Sequence, residues 1–268
     1  MLAKTEYLAL LDADSAALIA AAEDHLDLPV PSCPDWRVID LVVHTGVVHR
    51  AWAQVVATRA TEASEIKREA LFPVPGLLEW FENSVLSGKQ SDLTSIPPGV
   101  GGWFRDGSAD LVHALSEADP ADVVWSWSSD KSVTHHLRMM PIETAVHRWD
   151  AEGAVGVPEP IAANLAADGI GHTFEVMAPY RRSIRPVARG EGQTYKWIAD
   201  GTGESWTTRF EGDEITVTRG DEAAADVVVR GSASDLLLFL WHRVPSSHLT
   251  VTGDQSVLDS YFSLVPPI

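Results

Sequence analysis

The chain has 268 residues, 45% hydrophobic and 22% charged, a composition typical of a globular protein with one large or two modest domains. Its 38 acidic and 20 basic residues leave a net charge of −18, which argues against nucleic acids and anionic membrane surfaces as partners. The one cysteine, Cys33, excludes an internal disulfide and a cysteine-based zinc site, and no run approaches the roughly 20 apolar residues that span a bilayer. Since Met1–Tyr7 contains no signal-peptide core, we expect a cytoplasmic location.

The first half of the chain is predicted to form helices, because its apolar residues recur every three or four positions. Three prolines between Leu28 and Pro34 end the first helix, and Ser32 or Asp35 is expected to cap the second. The long helices are predicted over residues 5–25, 35–59, 103–117 and 133–152, with a short one over residues 77–86.

The second half changes in character after Gly156. One more helix is predicted over residues 161–180, and β-branched or alternating runs closed by Gly-containing turns then indicate strands. These strands are predicted over residues 195–199, 206–210, 215–218, 227–230 and 248–252, with helices over residues 232–243 and 256–262. The predicted fold class is therefore α+β with two domains, a four-helix bundle over residues 1–155 and a smaller α/β sheet domain over residues 156–268.

Glu143 and His147 are the first candidates for chemistry, because residues four apart lie on adjacent turns of one helix face and can converge on one ion. His136 lies seven residues before Glu143, nearly in line with it, and Met140 is close to the same stripe. The same spacing also produces weak ion pairs on exposed helices, so the pair alone leaves both interpretations open.

A third ligand has to come from another helix, and His44 is the candidate because it lies in the apolar run from Leu41 to Val48. A histidine in such a run is also common as an ordinary core residue. His49 follows about 140° further around the helix, so we expect that the two do not both face inward. Gly46 would allow a neighbouring helix to approach closely, which favours a buried site.

Other charged residues are candidates for supporting roles. Arg138 and Arg148 could bind a substrate carboxylate through two parallel hydrogen bonds, although ordinary salt bridges would explain them equally well. Arg243 is a further candidate that would reach the site from the second domain. Asp40 and Asp150 are candidates to accept a hydrogen bond from a ligating imidazole.

Several segments together resemble one known family, the mycothiol-dependent maleylpyruvate isomerases. The resemblance covers nearly the whole chain, in the order in which the family has its motifs. The segments that carry it are Val30-Pro-Ser-Cys-Pro-Asp-Trp36, Asp40-Leu-Val-Val-His44, Glu143-Thr-Ala-Val-His-Arg-Trp-Asp-Ala-Glu152, Gly231-Ser-Ala-Ser-Asp-Leu-Leu-Leu-Phe-Leu-Trp-His-Arg243 and Val251-Thr-Gly-Asp254.

The resemblance implies a DinB-like four-helix N-terminal domain and an α/β C-terminal domain. It also implies metal ligands at His44, Glu143 and His147, since the family uses one histidine of the second helix and a Glu–His pair of the fourth. The chain departs from the family just before Glu143, where Pro141-Ile142 replaces a histidine or similar polar residue.

The function implied is that of a metal-dependent isomerase or thiol S-transferase, with mycothiol as cosubstrate and a small electrophilic substrate. A site of two histidines and a carboxylate favours Zn²⁺ with open positions, although nickel, iron or cobalt would also suit it. Catalytic roles are assigned to Arg138 and Arg243, and a cofactor-binding role to His136. Two alternative functions stay open, a metal-dependent hydrolase and a non-catalytic metal- or ligand-binding protein. For the oligomeric state, we expect a monomer or homodimer.

Overall fold

The computed structural model describes residues 1–84, 93–220 and 224–266. The chain divides into two compact units, Met1–Glu159 and Pro160–Ile268, here called the helical unit and the sheet unit. The predicted α+β fold class is confirmed, with a helical N-terminal domain followed by a mixed-sheet domain. In the part of the chain that is described, no helix has the length and apolar character needed to cross a membrane.

The described residues of the helical unit form four long helices, two short ones and a small hairpin. Pairs of long helices pack together, α1 against α6 and α2 against α5. The elements are α1 (Lys4–Ala22), β1 (Pro29–Val30), β2 (Cys33–Arg37), α2 (Val38–Thr58), α3 (Arg68–Leu71), α4 (Leu77–Asn83), α5 (Val100–Glu117) and α6 (Val133–Val155). Residues 85 and 86, the end of the helix predicted over residues 77–86, lie outside the described residues.

The β1–β2 hairpin was not predicted, and it shifts the start of α2 to Val38. Neither predicted cap serves this helix. The Asp40 carboxylate accepts the backbone N–H of Arg37 at 2.8 Å, while the Ser32 hydroxyl donates to Asp150. The predictions of Ser32 and Asp35 as caps were wrong, because the prolines keep this segment extended and paired as a hairpin.

Close packing of α2 against α5 depends on one glycine. A Cβ built on Gly46 would lie 2.3 Å from Cζ3 of Trp103, so a larger residue would push the two helices apart. The Trp103 indole N–H donates to the carbonyl of Leu71 at 2.9 Å, which fixes the ring in this position. Leu41, Val42 and Phe104 are fully buried in the apolar core of the helical unit.

Among residues 160–220 and 224–266, the sheet unit is built on five strands in the order β5-β4-β3-β6-β7. The central pair β3–β6 is parallel and the other neighbours are antiparallel. Its elements are α7 (Ala163–His172), α8 (Ala178–Ile184), β3 (Gly190–Asp200), β4 (Glu204–Gly212), β5 (Glu214–Arg219), β6 (Val227–Ser232), α9 (Ala233–Leu240), β7 (Thr250–Gly253) and α10 (Gln255–Leu264). A π-helical turn, Thr173–Met177, joins α7 to α8.

Helix α9 ends earlier than its apolar pattern predicts, at Leu240 and not at Arg243. His242 adopts a left-handed conformation with φ of 61°, and the N–H of Arg243 returns to the carbonyl of Leu238 at 2.7 Å. This hydrogen bond is the closing bond of a Schellman motif. His242 and Arg243 therefore leave the helix axis and lie in the loop that follows it.

Candidate metal centre

Three side chains from two helices converge in the helical unit. His44 of α2 and the pair Glu143 and His147 of α6 each present one ligand atom, and these atoms lie within 4.8 Å of one another. His44 Nε2 is 3.6 Å from Glu143 Oε1, and the rings of His44 and His147 meet edge to face with centroids 5.2 Å apart. No other group of three or more such residues comes together in the described ranges.

The protonation states of Glu143 and His147 suit a cation. Burial raises the pKa of the Glu143 carboxyl, but the adjacent His44 and His147 outweigh burial and bring the pKa below its ordinary value. Burial also lowers the pKa of His147, against the opposing effect of Asp150. At neutral pH the group therefore presents the Glu143 carboxylate and the neutral imidazole of His147. Of the two histidines, His44 is the more accessible to solvent, since 34% of its side chain is exposed, compared with 7% for His147.

The orientation of His147 is set by Asp150, one turn further along α6. Asp150 is fully buried, and its Oδ2 accepts the Nδ1–H of His147 at 3.1 Å. The other oxygen, Oδ1, accepts a hydrogen bond from the Ser32 hydroxyl at 2.5 Å. Because a carboxylate only accepts, Nδ1 carries the proton and Nε2 keeps the lone pair that a metal needs. Of the two aspartates considered for this role, Asp150 has this position, and Asp40 serves the start of α2.

Trp36 of strand β2 forms an aromatic wall beside the cluster. Its ring centroid is 5.0 Å from that of His44, and its ring stacks on His147 at 6.5 Å with an angle of 23°. The hairpin that was missed in the sequence therefore brings a large apolar surface to the site. The wall places the apolar face of an indole beside both imidazoles.

His49 lies further inside the unit than predicted. It is 1% exposed, its Nε2 forms a 2.8 Å hydrogen bond with the Thr144 hydroxyl, and its ring contacts Phe104. Burial lowers its pKa to about 4, with smaller effects from the cluster. The expectation that only one of His44 and His49 would face inward was wrong, because both side chains contact α6. His44 approaches Glu143, and His49 forms a hydrogen bond with Thr144.

His136, the first of the remaining predicted residues, makes its hydrogen bond away from the cluster. His136 is fully buried, its Nε2–H donates to the carbonyl of Trp125 at 2.9 Å, and its ring lies against Trp52. It is in line with Glu143 but seven residues, or about 10 Å, away along the helix axis.

Arginines on α6 face other directions. Arg138 is buried within electrostatic range of His135, and five residues of helix turn its Cβ about 140° away from that of Glu143. Arg148 binds Asp14 at 3.1 Å and Glu152 at 2.6 Å, so it belongs to an ion-pair network inside the helical unit.

Arg243 belongs to the sheet unit. Its guanidinium donates to the carbonyl of Trp241 at 2.8 Å, and the residue lines a cavity of about 470 Å³ together with His242 and Phe262.

Comparisons with known proteins agree over most of the chain. The family model described as "Mycothiol maleylpyruvate isomerase N-terminal domain" matches residues 8–152, and the one described as "MDMPI C-terminal domain" matches residues 148–260. The crystal structures of the mycothiol-dependent maleylpyruvate isomerase and of a histidine-to-alanine mutant of it are similar to this chain. Each has a TM-score of 0.59 at 14% identity, over 94% of this chain and 93% of that chain. At this identity the likeness shows a shared fold. A search of curated protein sequences found no match.

Proposed function

The chain belongs to the mycothiol maleylpyruvate isomerase family, an enzyme family, and we propose that it is a metal-dependent enzyme that uses mycothiol on a small electrophilic substrate. The observation that carries the proposal is the convergence of His44, Glu143 and His147, with ligand atoms within 4.8 Å of one another. The reaction is an isomerisation or a thiol S-transfer. Family membership supports the use of mycothiol, and the cluster supports the metal.

The donor set fits a divalent cation, with Zn²⁺ as our choice. A divalent cation held by two imidazoles and one carboxylate would keep a net positive charge and open positions, the pattern of a catalytic site. Nickel, iron and cobalt accept the same donors. When bound, such a cation lowers the pKa of a thiol so that the thiolate is available at neutral pH.

The side chains around the group have separable tasks. Asp150 keeps the Nδ1 of His147 protonated, so that Nε2 points its lone pair outward. Trp36 places the apolar face of its indole beside both imidazoles. The exposed edge of His44 marks the direction from which substrate enters. We further propose that Arg138 and Arg243 bind substrate carboxylates, and that His136 contributes to cofactor binding.

The chemistry for an isomerisation is a reversible addition. The thiolate sulfur adds to one carbon of an activated double bond, and the electron pair moves onto the conjugated carbonyl. Rotation about the resulting single bond follows. The electron pair then returns, the carbon–sulfur bond breaks, and the thiolate leaves unchanged with the double bond in the other geometry. In an S-transfer, the adduct is protonated and the sulfur stays on the product.

The test measures metal content and turnover together. Purified protein is analysed for bound metal, and mycothiol-dependent conversion of maleylpyruvate and other unsaturated acids is followed. We expect one equivalent of metal in the native protein and none in His44→Ala or Glu143→Gln. His113→Ala removes an exposed histidine of α5 and should retain the metal.

Each alternative predicts a different result. Metal retained by both ligand variants would refute the site. Turnover that does not require a thiol would identify a metal-dependent hydrolase. Full metal occupancy with no turnover on any electrophile would indicate a binding protein.

A further inference from the structure

The β1–β2 hairpin reaches His147 by two separate routes. Ser32, in the turn between the strands, donates its hydroxyl hydrogen to Oδ1 of Asp150 at 2.5 Å, and Oδ2 of Asp150 accepts the Nδ1–H of His147 at 3.1 Å. Trp36 of β2 stacks on the His147 ring, with centroids 6.5 Å apart and an angle of 23°. One imidazole of the cluster therefore meets the hairpin both through its hydrogen-bond partner and through its ring face.

The bond from Ser32 fixes the carboxylate that orients His147. Asp150 is fully buried, so its charge has to be balanced by hydrogen-bond donors of the protein. Because one oxygen is bonded to Ser32 and the other to His147, a rotation of the carboxylate would break both bonds. The Ser32 hydroxyl therefore keeps Oδ2 at the position where it meets Nδ1 of His147.

The hairpin is held in place along its side and at its base. Val30 of β1 is fully buried and shares one apolar core with Ala151, the residue that follows Asp150 on α6. At the base of the hairpin, the backbone N–H of Val38 donates to the carbonyl of Leu28 at 3.0 Å. A turn that is fixed in this way can present a hydroxyl with the precision that the surroundings of a metal ligand need.

The two contacts restrict different motions of the same ring. The hydrogen bond from Nδ1 to Asp150 sets the rotation of the imidazole about its bond to Cβ, and with it the direction in which Nε2 points. The face of Trp36 limits movement of the ring out of its own plane. Satisfaction of a buried carboxylate would explain the Ser32 bond alone, but it does not explain why the same hairpin also covers the ring.

We propose that Ser32 is a positioning residue of the metal centre, which acts on His147 through Asp150 as part of a hairpin that holds this ligand. The inference rests on the proposed function, because the ion concerned is the one assigned to His44, Glu143 and His147. Since coupling between two equilibria is reciprocal, a hairpin that strengthens metal binding is itself stabilised by the metal to the same extent.

The first experiment compares metal binding in three variants by competition with a chelator of known affinity. Ser32→Ala should bind Zn²⁺ about 3- to 10-fold more weakly, less than the loss of a direct partner of the imidazole. It should also change the visible absorption spectrum of bound Co²⁺, which reports the geometry of the ligands. Ser32→Thr keeps the hydroxyl and should restore both. Ser15→Ala is the control, because Ser15 is equally a hydroxyl donor of this unit but bonds the carbonyl of Leu11 in its own helix at 2.7 Å.

A second experiment tests the route through Asp150. In an Asp150→Ala background, Ser32→Ala should cause no further loss of zinc affinity, because the residue through which it acts is gone. Hydrogen exchange of the peptide covering residues 28–39 should slow when zinc is added to the native protein, and slow less in Ser32→Ala. If Asp150→Ala does not fold, the rescue by Ser32→Thr and the exchange measurement still decide.

The outcomes separate this proposal from the one on which it rests. Zinc affinity and cobalt spectrum unchanged in Ser32→Ala, or a loss that Ser15→Ala reproduces, would overturn the role of Ser32 and leave the metal site standing. A lower Tm in Ser32→Ala with an unchanged cobalt spectrum would show that the hydroxyl is only structural. A native protein that binds no zinc would overturn the metal site and this inference together.

Discussion

Asp150→Asn offers the sharpest test of how the helical unit prepares its metal site. The Asp150 carboxylate accepts the Nδ1–H of His147 at 3.1 Å and the Ser32 hydroxyl at 2.5 Å, in a fully buried position. The amide has nearly the same shape but no charge, so the bond to His147 loses its charge-assisted character, about half its strength. Replacing such partners of ligating imidazoles typically weakens metal binding about 10- to 100-fold, or about 1.4–2.7 kcal/mol.

The assay is a competition between the protein and a chelator of known affinity, with Zn²⁺ content measured at each step. Asp14→Asn is the matched control, because Asp14 is a partly buried carboxylate that binds Arg148 of the same helix at 3.1 Å. We expect this control to hold zinc as tightly as the native protein. Zinc affinity unchanged in Asp150→Asn, or weakened equally in both variants, would refute the reasoning.

Two further predictions concern stability. Gly46→Ala should lower the unfolding free energy measured in urea by about 1–3 kcal/mol, because its Cβ would lie 2.3 Å from the Trp103 ring. The control Gly102→Ala should not destabilise the protein, because a Cβ at that position has no neighbour within 4 Å; equal losses in the two variants would contradict the prediction. Burial lowers the pKa of His135 and His136 to about 4, so the folded protein keeps them neutral while the unfolded chain takes up protons below about pH 6.5. Stability is therefore full above about pH 6.5 and falls as the pH drops toward 4, by about 2 kcal/mol per histidine at pH 5. Urea unfolding of His136→Gln should show a correspondingly smaller loss between pH 7 and pH 5, and an unchanged loss would count against the assignment.

Local pattern predicted most of the fold. The three- and four-residue apolar spacing located the long helices, since that period is a property of the helix itself. The errors concerned the ends of helices, because contacts with distant parts of the chain determine where a helix starts and stops. The β1–β2 hairpin replaced the first turn of the predicted second helix, and α9 ended at Leu240 because His242 took a left-handed conformation.

The candidate site divides in the same way. Glu143 and His147 lie on one face because they are four residues apart in a helix, which their spacing alone predicts. Family motifs selected His44, since its apolar neighbours are equally typical of a core histidine. Nothing in the local pattern could choose Asp150 over Asp40 as the partner of a ligating imidazole. That choice depends on how the chain turns at the start of α2.

The sequence by itself determined the helical and sheet halves, the acidic charge, and one Glu–His pair on a helix face, because each follows from neighbours within a few positions. Only the tertiary structure decided what surrounds that pair. Ser32 reaches Asp150 across 118 positions of chain, and Trp36 reaches His147 across a hairpin with no local signal strong enough to predict it. The spacing of residues in a helix determines which face a side chain lies on, whereas packing between distant segments determines which residues that face contacts.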